Sequence, residues 1–373
     1  MRRGVTALAA VVSALACAAA TAAPPPVSAP AYVVRGGPDD AVLAARAANA
    51  ERPPASITKL MTVMVALEHA RLNDVVTVSP QAASVGESSV NLRPGERLTV
   101  RDLAIAALVP SANDAATALA AYVGQGSIPR FVALMNAKAR ALGLTRTHFV
   151  NPHGLDTSGH FSSARDVTTL LDAALRIPFI RTWSTRSTAT IAGGRSLEST
   201  DDLLSRLPLL GAKTGHTDGA GWSQVAAIRK DGVRITASVL GASSEEQRNA
   251  DLADLLEWGL AQYHPVMAVD SKRVYGLAET GYGRAPVKLV AQRDVVRTIR
   301  VGRPLVERVV ARTALALPVA RGEQAGEVRV YDGARLVARV PLVAATSVSS
   351  LSTAGKVGWY ARRTFHHLAG LVT

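Results

Sequence analysis

The segment Ser56-Ile57-Thr58-Lys59 opens an apolar run that reaches Leu67 without a glycine or a proline, directly after Pro53-Pro54. Such a run predicts a helix buried in the protein, and a helix dictates which side chains meet. Residues three apart lie one above the other, so the Ser56 hydroxyl and the Lys59 amine share a face. A serine hydroxyl is a poor nucleophile until a base takes its proton, and a lysine amine at its usual pKa near ~10.4 has no lone pair to offer. Burial on an apolar helix, or a second cation nearby, lowers that pKa and frees the lone pair. Ser56 also stands near the helix start, where backbone N–H groups are available for an oxyanion.

A lone Ser-x-x-Lys pair occurs by chance in many helices, but two later stretches add to it. Ser111-Ala112-Asn113 follows the apolar run Leu103–Val109, and Lys213-Thr214-Gly215-His216-Thr217 sits between Leu209-Leu210-Gly211 and a strand-like Val225–Ile228. Arginine vastly outnumbers lysine in this chain, which sharpens the meaning of a lysine inside two of the three motifs. In this order they match the Ser-x-x-Lys, Ser-x-Asn and Lys-Thr-Gly signature of the serine penicillin-recognising enzymes. The likeness continues through Asn91–Glu96 with Val100–Leu103, Leu142–Thr145, Asn151–Asp156, Ser163–Asp166 and Gly215–Asp218. From Ala31 to Tyr263, and more loosely beyond, the chain resembles the low-molecular-mass penicillin-binding proteins that act as D-alanyl-D-alanine carboxypeptidases, the S11-type serine peptidases.

That resemblance implies an α/β fold: a penicillin-binding-protein/β-lactamase-like catalytic domain with a five-stranded antiparallel sheet and helices, plus a small C-terminal β-sandwich domain. It also implies roles. Ser56 corresponds to the acylated nucleophile and Lys59 to its base; Ser111 to the hydroxyl that relays a proton to the departing D-alanine; Asn113 to the amide that orients substrate and Lys59. Lys213 corresponds to the cation that lowers the Lys59 pKa and helps hold Ser111, and Thr214 to a hydroxyl that binds the substrate carboxylate. Gly215 belongs to the same substrate-binding strand, and the backbone N–H groups of Ser56 and His216 to the oxyanion hole. Arg248, placed after the strand Val233–Gly241 and before a helix expected over Asn249–Gln262, stands where the family has a carboxylate-binding arginine. A guanidinium suits a free terminal carboxylate because it grips both oxygens; the plain alternative is a solvated helix-cap arginine.

The rest of the chain divides by pattern. Met1-Arg2-Arg3, an apolar run from Val5 to Ala19 and Ala20-Thr21-Ala22 read as a secretory signal peptide of residues 1–22, too short in its apolar part to span a membrane. Cleavage there removes Cys17, the only cysteine, so the mature fold rests on core burial; lipidation of Cys17 is the alternative. Residues 23–30 are a Pro-rich lead-in, and residues 31–264 the catalytic domain. Within it Ala31–Val34 and Ala41–Ala47 read as a hairpin, Leu103–Val123 and Ile128–Leu142 as helices, and Gln224–Arg229 with Val233–Leu240 as strands turning at Lys230-Asp231-Gly232. From about Val266, β-branched residues alternate or cluster between turns, which predicts a β-rich domain over 265–350. Residues 351–373 read as an amphipathic tail with Tyr360, Phe365, Leu368, Leu371 and Val372 on one face and Arg362, Arg363, His366 and His367 opposite.

Formal net charge is +13, yet the arginines are scattered and no aromatic cluster accompanies them, which argues against a nucleic-acid partner. Anionic phospholipid headgroups, reached through the tail, or acidic wall polymers fit the charge better. His69 and His153 lack the spaced acidic and histidine companions of a metal site, and no metal or cofactor is implied. Glu87, Glu96, Asp156 and Asp166 read as structural, the two aspartates as ion-paired. The stretch Thr200–Leu210 departs from the family's Thr-Asn-x-Leu-Leu pattern, with Asp202-Leu203-Leu204 as its remnant. The expected activity is a D-Ala-D-Ala carboxypeptidase, exported to the outer face of the cytoplasmic membrane. It trims peptidoglycan stem peptides ending in D-Ala-D-Ala and is acylated by β-lactams. Rival readings are a class A-like β-lactamase, for which the chain lacks Glu-x-x-Leu-Asn, a cross-bridge DD-endopeptidase, and a wall-binding scaffold without turnover.

Overall fold

The computed structural model describes Leu8–Leu15 and residues 23–369, with side chains from Ala23 to Thr364. Contacts group the chain into two compact units, one ending at Gln262 and one beginning at Tyr263 that also takes in the first strand, β1 (Leu8–Leu15).

The larger unit is built around a sheet of five antiparallel strands: β2 (Ala31–Gly36), β3 (Ala41–Arg46), and, after the helical region, β4 (Leu209–Thr217), β5 (Gly221–Lys230) and β6 (Val233–Ala242), in the order β3-β2-β6-β5-β4. The β5–β6 hairpin turns on Asp231 and Gly232, with φ of 50° and 80°, the two consecutive left-handed residues that match the twist of a two-residue hairpin. Helix α1 (Thr58–His69) is the centre of the unit. Every residue from Thr58 to Ala66 is buried, as expected of a helix apolar all round. Leu60, Met61 and Val63 share a core with Leu103, Leu119, Phe131, Leu170 and Leu171, each side chain contributing about 1.5–3 kcal/mol of burial.

The helix expected over Leu103–Val123 is two helices, α2 (Val100–Leu108) and α3 (Asn113–Val123). Pro110 has no N–H to donate, and Ser111 takes a φ of 65°, a left-handed conformation no helix interior holds. The start of α2 is fixed by a capping box in which Thr99 accepts from the Asp102 N–H and Asp102 accepts from the Thr99 N–H. Next come α4 (Ile128–Ala141) and α5 (Ala164–Ala174), each N-capped by a serine hydroxyl, Ser127 and Ser163. The helix expected from Asn249 begins four residues earlier: α6 spans Glu245–Ala261, with Ser244 as its cap. Arg248 therefore sits inside the first turn rather than ahead of the helix.

In the second unit β7 (Tyr263–Val269) pairs with β10 (Val295–Arg300), while β8 (Val274–Ala278), β9 (Val287–Ala291), β11 (Leu305–Arg312), β12 (Gln324–Asp332) and β13 (Arg335–Ala344) form a sheet ordered β1-β11-β12-β13-β9-β8. Val269, Val295 and Ile299 of the ribbon share one core with Leu289, Val328, Val340 and Leu342 of the sheet. Strand β1 pairs with β11 along its whole length, Leu8 opposite Arg312 and Leu15 opposite Leu305. Cys17 and the expected cleavage site at Ala22 lie outside the described residues. Helix α7 (Thr353–Ala369) closes the described chain; Leu371 and Val372 of the expected apolar face lie beyond it. Trp359 and Tyr360 meet Tyr282 edge to face, while Val357 and Tyr360 remain 64 % and 58 % exposed. Among the described residues no helix is long and apolar enough to cross a membrane.

Candidate active site

A 3-10 turn leading into α1 presents Ser56, and the first turn of α1 presents Lys59. Ser56 lies in a short 3-10 turn over Ala55–Ile57 that runs into α1, and Lys59 Nζ lies 2.6 Å from Ser56 Oγ. Ala55, just before the serine, has a φ of 47°, and Ser111 one of 65°, so left-handed backbone marks both hydroxyl-bearing segments. The break between α2 and α3 aims Ser111 at the amines: its Oγ accepts from Lys213 Nζ at 2.9 Å and from Lys59 Nζ at 3.4 Å. One hydroxyl thus joins two lysines. Lys213 is anchored from the other side by the Thr214 carbonyl at 3.0 Å.

Both amines are fully buried, and burial is the first cause of their altered proton affinity. The Lys59 pKa falls well below the usual lysine range, through burial and then through the Lys213 cation. Lys213 is lowered to about 7 by burial, with the Asp201 carboxylate opposing that shift and Arg248 adding to it. A neutral Lys59 beside Ser56 can accept the hydroxyl proton.

The turn over residues 151–154 and strand β4 close on Ser56 from two sides. A Cβ on Gly154, at φ 95°, would stand 1.9 Å from the Ala55 carbonyl oxygen, so only glycine fits. A Cβ on Gly215 would reach the Ser56 nitrogen at 3.1 Å, so β4 runs directly against the N–H expected to serve the oxyanion. His153 accepts from the Leu155 N–H, and burial and then Lys59 depress its pKa to about 3, so it stays neutral as a turn residue. His160 pairs with the Thr58 hydroxyl at 2.9 Å and is held to about 4, chiefly by burial.

A cavity of about 500 Å³ opens over these groups, lined by Ser56, Ser111, Thr214, Gly215, His216 and Arg248 together with Glu87, Ser88, Thr200, Asp202, Trp222 and Glu245. Arg248 is 1 % exposed; its Nη2 donates to Glu245 Oε1 at 2.9 Å and to Asn249 Oδ1 at 2.7 Å, and its guanidinium lies 5.6 Å from the Trp222 ring centre. Trp222 in turn stacks on His216 at 4.0 Å. A solvated helix cap does not describe such an arginine: it is buried, oriented and open to the cavity.

Asn113 is buried, with Nδ2 donating to the Gly86 carbonyl at 3.0 Å and Oδ1 left without a protein partner. The structure thus ties Asn113 to the loop over the site rather than to Lys59. Asp114 beside it accepts from Ser89 Oγ and from the N–H groups of Val90 and Leu92, which pins that loop across α3. Asp156 and Asp166, expected in ion pairs, accept instead from Thr217 and Gly219 and from Thr147 and the Arg146 N–H. Glu96 pairs with Arg195 at 3.0 Å, away from the cavity lining, whereas Glu87 lines it.

Trp222, Asp114 and Asp201 escaped the sequence reading. Trp222 becomes legible only once β4 and β5 are paired, since the register sets it opposite His216. Asp114 carries a signal in the residue after Ser-x-Asn, where a buried acid can serve a neighbouring loop. Asp201 lies in the stretch that departs from the family pattern.

Comparison with known proteins agrees with this geometry. The Peptidase_S11 family model, described as D-alanyl-D-alanine carboxypeptidase, matches residues 18–244. The chain is 34% identical over 367 residues to D-alanyl-D-alanine carboxypeptidase DacD of Salmonella typhimurium, covering 93% of this chain and 92% of that one. It is 30% identical to DacA of Escherichia coli, over 93% and 90% of the two chains. Among solved structures, penicillin binding protein 5 from Haemophilus influenzae superposes with a TM-score of 0.64 at 28% identity, over 88% of this chain and 100% of that one. Penicillin binding protein 6B from Escherichia coli gives 0.63 at 29% identity, over 87% and 97%.

Proposed function

This chain belongs to the S11 peptidase family of D-alanyl-D-alanine carboxypeptidases and is a serine-type hydrolase of that class; on that premise we propose how its own residues carry the reaction on peptidoglycan stem peptides. Ser56 Oγ attacks the carbonyl carbon between the two D-alanines while its proton passes to Lys59 Nζ. The N–H groups of Ser56 and His216 hold the oxyanion, each donor contributing some ~3 kcal/mol in acyl-transfer enzymes. The C–N bond then breaks, and the leaving amine takes its proton through Ser111 from the lysine pair. Water hydrolyses the Ser56 ester, with Lys59 again accepting a proton. Thr214 and Arg248 grip the terminal carboxylate, which makes the enzyme a carboxypeptidase rather than an endopeptidase. β-Lactams acylate the same serine because their carboxylate and strained amide occupy the same places.

The observation that carries this reading is the continuous chain from Ser56 through Lys59 and Ser111 to Lys213, all within hydrogen-bonding distance and buried but for the serine's mouth. We propose further that residues 1–22 direct export and are cleaved, that the 265–350 segment is a spacer or interaction platform, and that α7 rests on the anionic outer face of the cytoplasmic membrane. Exposed Val357 and Tyr360 beside Arg362 and Arg363 support that last assignment.

The test is release of free D-alanine from a diacyl-Lys-D-Ala-D-Ala tripeptide by the protein and its Ser56→Ala variant. Release that vanishes in the variant supports the reading. Equal release by both removes Ser56, rapid penicillin turnover points to a β-lactamase, and acylation without release points to an endopeptidase or a scaffold.

A further inference from the structure

The segment before Lys213 reads Thr200-Asp201-Asp202-Leu203-Leu204, so an aspartate stands where the Thr-Asn-x-Leu-Leu pattern carries asparagine. Its neighbours give that aspartate a consequence. Asp201 is 9 % exposed, its Oδ1 caps a 3-10 turn by accepting from the Leu203 N–H at 3.0 Å, and its Oδ2 is buried without a hydrogen-bond partner. It lines one small cavity with Lys213 and Thr214, and Thr214 also lines the active-site cleft.

We propose that Asp201 is a positioning residue whose negative charge sets the proton affinity of Lys213 from behind β4, and so fixes the alkaline limit of the enzyme's working pH range. Lys213 of β4 lines the same cavity as Asp201, and the groups that act on the Asp201 carboxyl besides Lys213 are Gln224 of β5 and Arg248 of α6. Those facing Lys213 are Asp201, Arg248, the Ser111 hydroxyl and, across that hydroxyl, Lys59. Asp201 is the one acid in this set, and its charge holds a proton on Lys213 that burial works to remove. Burial also raises the Asp201 pKa, so the charge itself is held at a cost to the fold. The cation matters because it depresses the Lys59 pKa and donates to the Ser111 hydroxyl that joins the two lysines.

This rests on the lysine roles given above, so the test reads Lys213 directly as well as through turnover. Asp201→Asn keeps an oxygen that can cap the Leu203 N–H and removes the charge. With [13Cε]lysine-labelled protein, whose seven lysines allow assignment by a Lys213→Met control, the Lys213 resonance should titrate roughly one pH unit lower in the variant. The alkaline limb of kcat/KM for D-alanine release should move by the same amount. A purely structural aspartate predicts a lower Tm with an unchanged titration. Here the Tm at pH 7 should hold or rise, because the raised pKa of a buried carboxyl makes its ionised form a burden above that pKa. Should the asparagine variant not fold, Asp201→Ser retains the cap and removes the charge in the same way. An unshifted Lys213 titration in a folded neutral variant overturns the proposal. A shifted titration with no Ser56-dependent turnover in the parent protein supports the electrostatic coupling while overturning the catalytic reading.

Discussion

Replacing Arg248 by glutamine tests the claim that this enzyme recognises a free carboxylate. The arginine's Nε and Nη2 are spent on Asn249 and Glu245, which orient the guanidinium over Trp222 and leave Nη1 for a ligand. One hydrogen bond to a charged group contributes about 1.5–3 kcal/mol, and a tenfold change in rate corresponds to about 1.4 kcal/mol. Arg248→Gln should therefore lower kcat/KM for the tripeptide acid roughly ten- to a hundredfold. The sharper readout is a cycle with the ligand. A tripeptide ending in D-alaninamide lacks the carboxylate, so the parent enzyme should lose a similar factor on it, and the variant should lose little more. Working as a ratio, the comparison cancels any general damage from removing a buried side chain. If the substitution slows acid and amide substrates equally, Arg248 is a structural member of α6 and the account of exopeptidase specificity is wrong.

Three further expectations follow from the same geometry. Gly154→Ala should cost 1–3 kcal/mol or more in stability and depress acylation steeply, since its Cβ would meet the Ala55 carbonyl one residue from the nucleophile; chemical denaturation and a penicillin acylation rate check both. Lys213→Met removes the cation that lowers the Lys59 pKa, so the base will hold its proton to higher pH; the acid limb of the pH–rate profile should move upward, and an unmoved limb refutes the coupling. His153 and His160 are buried neutral with pKa values of about 3 and about 4. The unfolded chain binds those protons more readily, so stability is fully present above about pH 6.5 and drains away as the pH falls through about 4 and then about 3; a Tm series in which His160→Gln leaves that slope unchanged would contradict the assignment.

How much of this was legible depended on how local the cause is. Ser56 and Lys59 are placed by the turn of one helix, so a three-residue spacing states their contact. The hairpin at Asp231-Gly232 is equally local. The break after Leu108 was hidden because alanine and leucine run on both sides of Pro110, and apolar spacing alone continues the helix through Ser111. The stacked wall of His216, Trp222 and Arg248 depends on the register of two strands and on a helix that starts at Glu245, none of which a single segment reveals. Asp156 and Asp166 were misread for a related reason: charge suggests an ion pair, while their partners are hydroxyls and N–H groups brought from other loops. In the C-terminal unit every second residue of β11 is buried, Leu305, Glu307, Val309 and Ala311, but Glu307 on that face and Val306 and Val310 on the other blur the period in sequence.

Every role given to the cavity residues depends on a covalent ester forming at Ser56, which intact mass spectrometry after brief exposure to benzylpenicillin, followed by peptide mapping, detects. One adduct per chain is expected, carried by the peptide that contains Ser56 and absent from Ser56→Ala. An adduct on Ser111 or elsewhere, or one that survives the substitution, would contradict it.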